Sequence, residues 1–331
     1  MSTLRPFHFS AVVETPQSQQ GWMDRAKRVE DLGYTTFLVP DHLKLVDPAV
    51  GLMAAASATS LRIGSHVFCN DFRHPVVLAR QAANLDLFSG GRFRFGLGCG
   101  YAADEYAQAG IQMDLPGERL ARFEEALRII KTYFEVAALP ASADAVPESV
   151  SGHAAPQAQE QLLTFSGTYY QVNGLPATIE PVQKPHPPIY VGGGGRRVLS
   201  IAARQADIVG LAARSTPRGI DWTSALSAAN EAKVAWIREA AGERFSSLEF
   251  STTIFLVVVT DHAQPVAQQL GSHLGLSAEQ VLDCVHILIG SVEQIADTLQ
   301  ARRAHFGISS IEVAEAHIET LAPVVARLSG K

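Results

Sequence analysis

The sequence predicts a parallel α/β fold, and three observations carry that expectation. Eight short segments rich in β-branched, aromatic and other apolar residues recur along the 331 residues. Each is followed by at least one segment of helical spacing, and strands alternating with helices form right-handed βαβ units around a parallel sheet. Eight such repeats fit a closed (β/α)8 barrel, and the chain is longer than the roughly 250 residues typical of that fold. The whole chain, residues 1–331, reads as a single barrel domain.

The elements follow in order. Phe7 to Val13 is strand-like. Gly21 to Leu32 has helical spacing, and Gly33 closes it as a C-cap. Thr35 to Val39 is a short strand, and Val50 to Ser60 an Ala-rich helix apolar enough to require packing. Leu61 to Cys69 reads as strand, Pro75 to Phe88 as helix, Arg92 to Leu97 as strand and Gly117 to Val136 as a long amphipathic helix. Ala137 to Gln161 is rich in Ala, Pro, Ser and Gln without periodicity, which predicts an exposed, mobile insertion. A hairpin is expected over Thr164 to Val172. Pro187 to Val191 is strand, Arg197 to Gln205 helix, Ala206 to Leu211 strand and Trp222 to Ala241 helix. Leu248 to Thr260 reads as one long strand, Ser291 to His305 as helix, Ile308 to Ala314 as strand and Ile318 to Leu328 as a final helix. A doubly wound sheet is the competing architecture. Its support is FGLGCGYAADEY, where Gly96, Gly98 and Gly100 resemble a dinucleotide turn. The third glycine comes too early for that pattern, and the segment leads on to Pro116.

Composition narrows the function. The chain is 47% hydrophobic and 18% charged with a formal net charge of -6, which is ordinary for a soluble domain and argues against nucleic-acid binding. No apolar run approaches the roughly 20 residues of a membrane span. Met1 to Pro6 leads into a strand with no signal peptide, and Cys69, Cys99 and Cys284 are too widely spaced for a C-x-x-C motif. These features predict a cytoplasmic protein without disulfides.

Chemistry in such barrels sits at the C-terminal strand ends. There the sequence places Ser10 and Ala11, Pro40-Asp41-His42, His66 to Asn70, Gly98 to Tyr101, and the run Gly192, Gly193, Gly194 and Gly195. Leu211 and the pair Thr260-Asp261 end the sixth and seventh strands. One or two glycines suffice for a tight turn. Four suggest a ligand approaching bare backbone N–H groups, an anion at a helix N-terminus. His8, Asp41, His42, His66 and His74 are suitable metal-ligand types. Hydrolase barrels carry His-x-His on the first strand, whereas Phe7-His8-Phe9 has one histidine, so no metal is expected. No G-x-S-x-G elbow occurs.

Four stretches in order carry a resemblance: RAKRVEDLGYTTFLVPDHL, LDLFSGGRFRFGLGCGYAADEYAQAGI, PVQKPHPPIYVGGGGRRVLSIAARQADIVGL and VHILIGSVEQIADTLQARR. Together they resemble the bacterial luciferase-like flavin and deazaflavin oxidoreductases, over nearly the whole chain except Ala137 to Gln161. The resemblance implies a (β/α)8 barrel that binds FMN or the deazaflavin F420. NDFRHP after the third strand, with two arginines after the glycine run, looks most like the actinobacterial F420-dependent branch.

By that resemblance the glycine run wraps the cofactor phosphate, with charge from Arg196 and Arg197. Asp41 and His42 stand beside the cofactor ring. His66-Val67 is the site of a non-prolyl cis peptide behind it, and Ser10, Cys69, Asn70 and Gly100 complete the cofactor site. Tyr101 stands where the sugar-phosphate dehydrogenase branch has Glu, which argues against a glucose-6-phosphate-type substrate. The implied function is hydride transfer between deazaflavin and a small organic substrate, as a reductase of C=C or C=N bonds. His42 is the candidate acid, oriented by Asp41 or a neighbour, and Tyr101 the second candidate. The alternatives are an FMN-dependent monooxygenase served by a separate reductase, and a flavin-binding barrel without turnover. The family pairs through early outer helices, so a homodimer involving Val50 to Ser60 is expected.

Overall fold

Parallel barrel strands need one apolar face to pack beneath the helices, and alternate residues such as Phe93, Phe95 and Leu97 are fully buried. The computed structural model describes residues 4–15, 18–139, 162–216 and 219–331. The repeats are β1 (His8–Val12), α1 (Gln19–Asp31), β2 (Thr36–Val39), α2 (Pro48–Ala58), β3 (Arg62–Ser65), α3 (Pro75–Phe88), β4 (Phe93–Gly98) and α4 (Pro116–Ala137). They continue as β5 (Ile189–Gly193), α5 (Arg196–Gln205), β6 (Ile208–Leu211), α6 (Ser227–Ala241), β7 (Glu249–Ile254), α7 (Val292–Phe306), β8 (Ile308–Ala314) and α8 (Ile318–Leu328). Each strand pairs in parallel with the next, β3 directly with β4, and β8 returns to β1. The ring is closed, so the doubly wound alternative is excluded.

Three expectations need revision. The third strand is interrupted after Ser65 by a cis peptide between His66 and Val67, and Phe68–Cys69 then pairs with the end of β4. The run read as one strand from Leu248 divides at Phe255. Glu249–Ile254 stays in the barrel, while Leu256–Val259 pairs in parallel with Ile287–Gly290 in a separate sheet. Both halves have the same β-branched composition, so only the partner distinguishes them. The helix expected from Trp222 begins as a 3-10 turn, Trp222–Ala225, and restarts at Ser227, whose backbone N–H is capped by Asp283. Of the expected insertion, Ala137 ends α4, and residues 140–161 lie outside the described residues. The hairpin is present as Leu162–Ser166 against Gln171–Pro176.

Between barrel and helices the core is apolar, with Phe37, Phe93, Phe95, Leu78 and Phe123 fully buried. The barrel interior is different. Arg94 of β4 forms an ion pair with Glu312 of β8, and both are buried. Glu312 also accepts from Ser251 (3.1 Å), Thr253 (3.0 Å) and Tyr190 (3.3 Å). The Arg94 guanidinium lies 4.4 Å from the Tyr190 ring centre. Small residues make room for these large ones. A Cβ on Gly210 would lie 2.2 Å from the Tyr190 hydroxyl oxygen.

Burial opposes ionisation of Glu312, but the neighbouring His66 and Arg94, and the hydrogen bond from Arg94, outweigh it and hold the carboxyl below its ordinary value. Such a lowered group adds stability that is complete above the unfolded value near 4.5 and is lost as pH falls through the folded one. Glu312→Gln strands a buried cation and is expected to cost about 3–5 kcal/mol in urea denaturation. Arg94→Met combined with Glu312→Leu removes both charges and should cost less than Glu312→Gln alone. The acid-side loss of stability should also flatten in the double variant.

Candidate active site at the barrel mouth

Parallel closure brings the C-terminal strand ends to one face. After β2 and β4 that face carries a hydrogen-bonded chain. His42 Nδ1 lies 3.0 Å from both carboxylate oxygens of Glu105, and Nε2 lies 3.3 Å from the Tyr101 hydroxyl. Glu105 sits in a short helix, Ala103–Ala109, that starts two residues after Tyr101. The Tyr101 side chain is 66% exposed and forms the outer end of the chain, while the His42 and Glu105 side chains are mostly covered.

Of the two orienters expected for His42, Asp41 or a neighbour, the one in contact is a neighbour, Glu105. Asp41 is taken by Arg73, through Nη1 at 2.5 Å and Nη2 at 3.2 Å, and accepts the Cys69 backbone N–H at 2.9 Å. Arg73 also reaches Asp47 at 3.1 Å. Asp41 therefore fixes the loop after β3, and Glu105 holds the imidazole.

That loop carries most of the expected cofactor contacts. His66 is held at Nε2 by Thr253 Oγ1 (3.3 Å), near Glu312 (3.7 Å). Burial lowers its pKa, so the ring is neutral near pH 7, and Nδ1 is buried without a partner among the described residues. Asn70 donates from Nδ2 to the Tyr170 hydroxyl at 3.1 Å, and its Oδ1 is likewise unpartnered. Val67 packs where β4 has Gly98, whose Cβ would lie 2.7 Å from Val67 Cγ2. Burial pushes the Cys69 thiol up to about 11, so it stays protonated. Tyr106 donates to Asp71 at 3.0 Å, which leaves its oxygen to accept from Cys69 Sγ at 3.2 Å. Gly100 has a φ of 74° and abuts the Tyr106 hydroxyl, so no side chain fits there. Cys99 is half-buried beside it.

The glycine run ends β5 and leads into α5, and packing explains most of it. A Cβ would lie 2.8 Å from the Tyr190 hydroxyl at Gly192, 2.4 Å from Val198 at Gly193, and 2.7 Å from the Ala213–Arg214 backbone at Gly194. Only Gly195 faces open space. No side chain caps α5, so its first N–H groups are free to meet an anion. Arg196 is 2.8 Å from Glu239 on the surface, and Arg197 donates to the Gly117 carbonyl. Both arginines are engaged away from the run.

Ser10 is not at the mouth. It pairs with Thr36, the first residue of β2, and lines a cavity at the opposite end. Sequence reasoning also missed Glu105, Arg73 and Glu312. Only Glu312 left a signal, as a lone charge in the apolar strand ISSIEVA. On the far side of the mouth His286 is fully buried, its pKa pushed down to about 4, with Nδ1 2.8 Å from the Thr253 carbonyl. Lys233, pushed down to about 8 by burial, donates to the Ala212 and Ser224 carbonyls and ties the segment after β6 to α6. Among the described residues no three of His, Cys, Asp or Glu converge as metal ligands, and no helix is long and apolar enough to cross a membrane.

A closed barrel with polar groups gathered at its C-terminal mouth, beside an uncapped helix start, defines a (β/α)8 protein of the enzyme type. The chain belongs to the luciferase-like monooxygenase family, whose model matches residues 1–304. It is similar in structure to the coenzyme F420 dependent tetrahydromethanopterin reductase from Methanopyrus kandleri (TM-score 0.71, 18% identity, 98% of each chain covered). It is also similar to EDTA monooxygenase from Chelativorans sp. BNC1 (TM-score 0.73, 15% identity, 99% of this chain and 95% of that one). A third likeness is to an F420-dependent secondary alcohol dehydrogenase in complex with an F420-acetone adduct (TM-score 0.67, 17% identity, 96% and 99%).

The glycines should separate by role. Gly194→Val is expected to lower stability by about 1–3 kcal/mol through collision with the Ala213–Arg214 backbone. Gly195→Ala should stay within about 0.5 kcal/mol of the parent. Thermal or urea unfolding of both variants checks this.

Proposed function

We propose that the protein is an F420-dependent oxidoreductase that reduces a C=C or C=N bond of a small organic molecule. The observation that carries this reading is the Tyr101–His42–Glu105 chain, open at its tyrosine end. Deazaflavin, when bound, supplies a hydride, which leaves the product one proton short. A donor chain at the mouth meets that need. Tyr101 or His42 gives the proton, and Glu105 holds Nδ1 so that Nε2 faces outward. Family membership and two F420-dependent structural neighbours are consistent with this reading.

The remaining residues suit a flavin-like cofactor. His66 Nδ1 and Asn70 Oδ1 are buried polar atoms without partners, a state that costs about 1–3 kcal/mol each unless a ligand or water satisfies it. They would meet the polar edge of a ring, with Val67 behind it. The uncapped N–H groups in the first turn of α5 and the open face of Gly195 would take the phosphate. Asp41, through Arg73 and the Cys69 N–H, fixes the loop that bears these groups.

Titration of the cofactor-free protein with F420 and with FMN tests the reading, and tighter F420 binding is expected. Preferential FMN binding would replace it with the FMN-dependent monooxygenase. His42→Ala should keep cofactor affinity and lose 10²–10⁴-fold in turnover, the usual share of general acid catalysis. Glu105→Gln should lower turnover less. If Tyr101→Phe costs more than His42→Ala, Tyr101 is the terminal donor. Unchanged turnover in all three variants would remove the chain from the mechanism.

We also infer a homodimer. The outer face of α2 and α3 carries an open groove of about 490 Å³ lined by the apolar Ala49, Met53, Val77, Leu85 and Phe88 and by the polar Arg73, Arg80, Gln81 and Asn84. Val50 beside it and Phe88 within it are 67% and 73% exposed, apolar surface that a second copy would cover. Light scattering at micromolar concentration should report a dimer, and Phe88→Glu should shift it toward monomer.

A further inference from the structure

The end of the barrel opposite the mouth holds a second polar cavity of about 360 Å³. Interiors of such barrels are normally filled by bulky branched residues. Here Ser10, Thr36 and Ser310 point into the space instead, and their small side chains leave it open. All three are buried, and none of their hydroxyls has a hydrogen-bond partner among the described residues. A polar cavity of this size is filled by water or by a ligand.

Its charges are arranged in opposition. Arg5, Arg62, Arg94, Asp207 and Glu249 all line it. Arg5 donates to the Ser247 carbonyl at 2.7 Å, and Asp207 accepts from the Ile189 backbone N–H at 2.8 Å. The Arg62 guanidinium has one hydrogen bond, to Gln183 Oε1 at 3.1 Å. The Glu249 carboxylate has no side-chain partner among the described residues. Arg62 feels the charges of both Glu249 and Arg94, yet no contact within 4.0 Å joins it to Glu249. Arg94 is already neutralised by Glu312. Of the five charged side chains, Arg62 and Glu249 alone have neither an ion-pair partner nor a backbone partner for their charged group among the described residues, and they share the cavity without touching. An anion alone would meet Glu249, and a cation alone would meet Arg62, each at a repulsive cost.

We propose that this cavity binds a small zwitterion, an amino-acid-like molecule whose carboxylate meets Arg62 and whose ammonium meets Glu249. The three hydroxyls can each donate and accept, and complete the hydrogen bonds at either end. Exposed Arg5, His8 and Ser247 form the rim through which it enters. This site is separate from the mouth and does not depend on the cofactor assigned there.

The test uses the full chain without cofactor. Glycine, β-alanine and γ-aminobutyrate are titrated by saturation-transfer NMR, with acetate and methylammonium as single-charge controls. At least one zwitterion should bind saturably and at least tenfold more tightly than either control. Arg62→Gln and Glu249→Gln should each weaken it tenfold or more. Both positions reach the surface, so the fold should survive, and Thr36→Val serves as a milder third probe that should weaken binding less. Absence of saturable binding by all three zwitterions, equal binding of acetate, or unchanged affinity in both charge variants would overturn the proposal. So would a crystal soaked in the three compounds that shows only water in the cavity.

Discussion

The buried ion pair between Arg94 and Glu312 is the constraint around which the barrel interior is organised. It joins β4 to β8 across the barrel and gathers Tyr190, Ser251 and Thr253 around one carboxylate. A pair of this kind adds little net stability over apolar packing, but it is costly to sever. Its consequence is positional. Tyr190 needs Gly192 and Gly210 beside it, and the same carboxylate and Thr253 stand beneath His66. The polar floor of the mouth is therefore fixed from inside the barrel.

A second network fixes the mouth from outside. Arg73 binds Asp41 and Asp47 together, and Asp41 holds the Cys69 backbone. Arg73 also lines the groove between α2 and α3. One side chain thus reaches both the loop that bears His66 and Asn70 and the groove between α2 and α3. Arg122 extends the framework through Asp71, which in turn accepts from Tyr106.

Within these two frames the exposed chemistry is sparse. Tyr101, His42 and Glu105 form one line of hydrogen bonds, and the start of α5 offers free backbone N–H groups. The glycine run illustrates how a motif can mislead. Three of its four members are required by neighbours within the protein, so its length alone does not announce a ligand. The uncapped helix and the open face of Gly195 are what favour an anion there.

The repeat count, the parallel class and the strand-end placement of Asp41, His42, His66, Asn70 and Tyr101 are legible in the chain itself. Those follow from apolar periodicity, which is local. It could not decide the partner of any side chain. Glu105 is four residues from Tyr101 and looks like an ordinary acid in a first helical turn, yet closure of the ring brings it to His42. Asp41 is adjacent to His42 in the chain, yet it pairs with Arg73. Local pattern sets Ser10 near the end of β1 and hence at the mouth, but its register with Thr36 sets it toward the other end. The division at Phe255 was equally hidden, because both halves of the run carry the same β-branched residues and differ only in the strand they meet. Hydrogen-bond and charge partners here are separated by tens to hundreds of residues. They are set when the ring closes, because burial leaves a polar group no alternative to the neighbour that closure supplies.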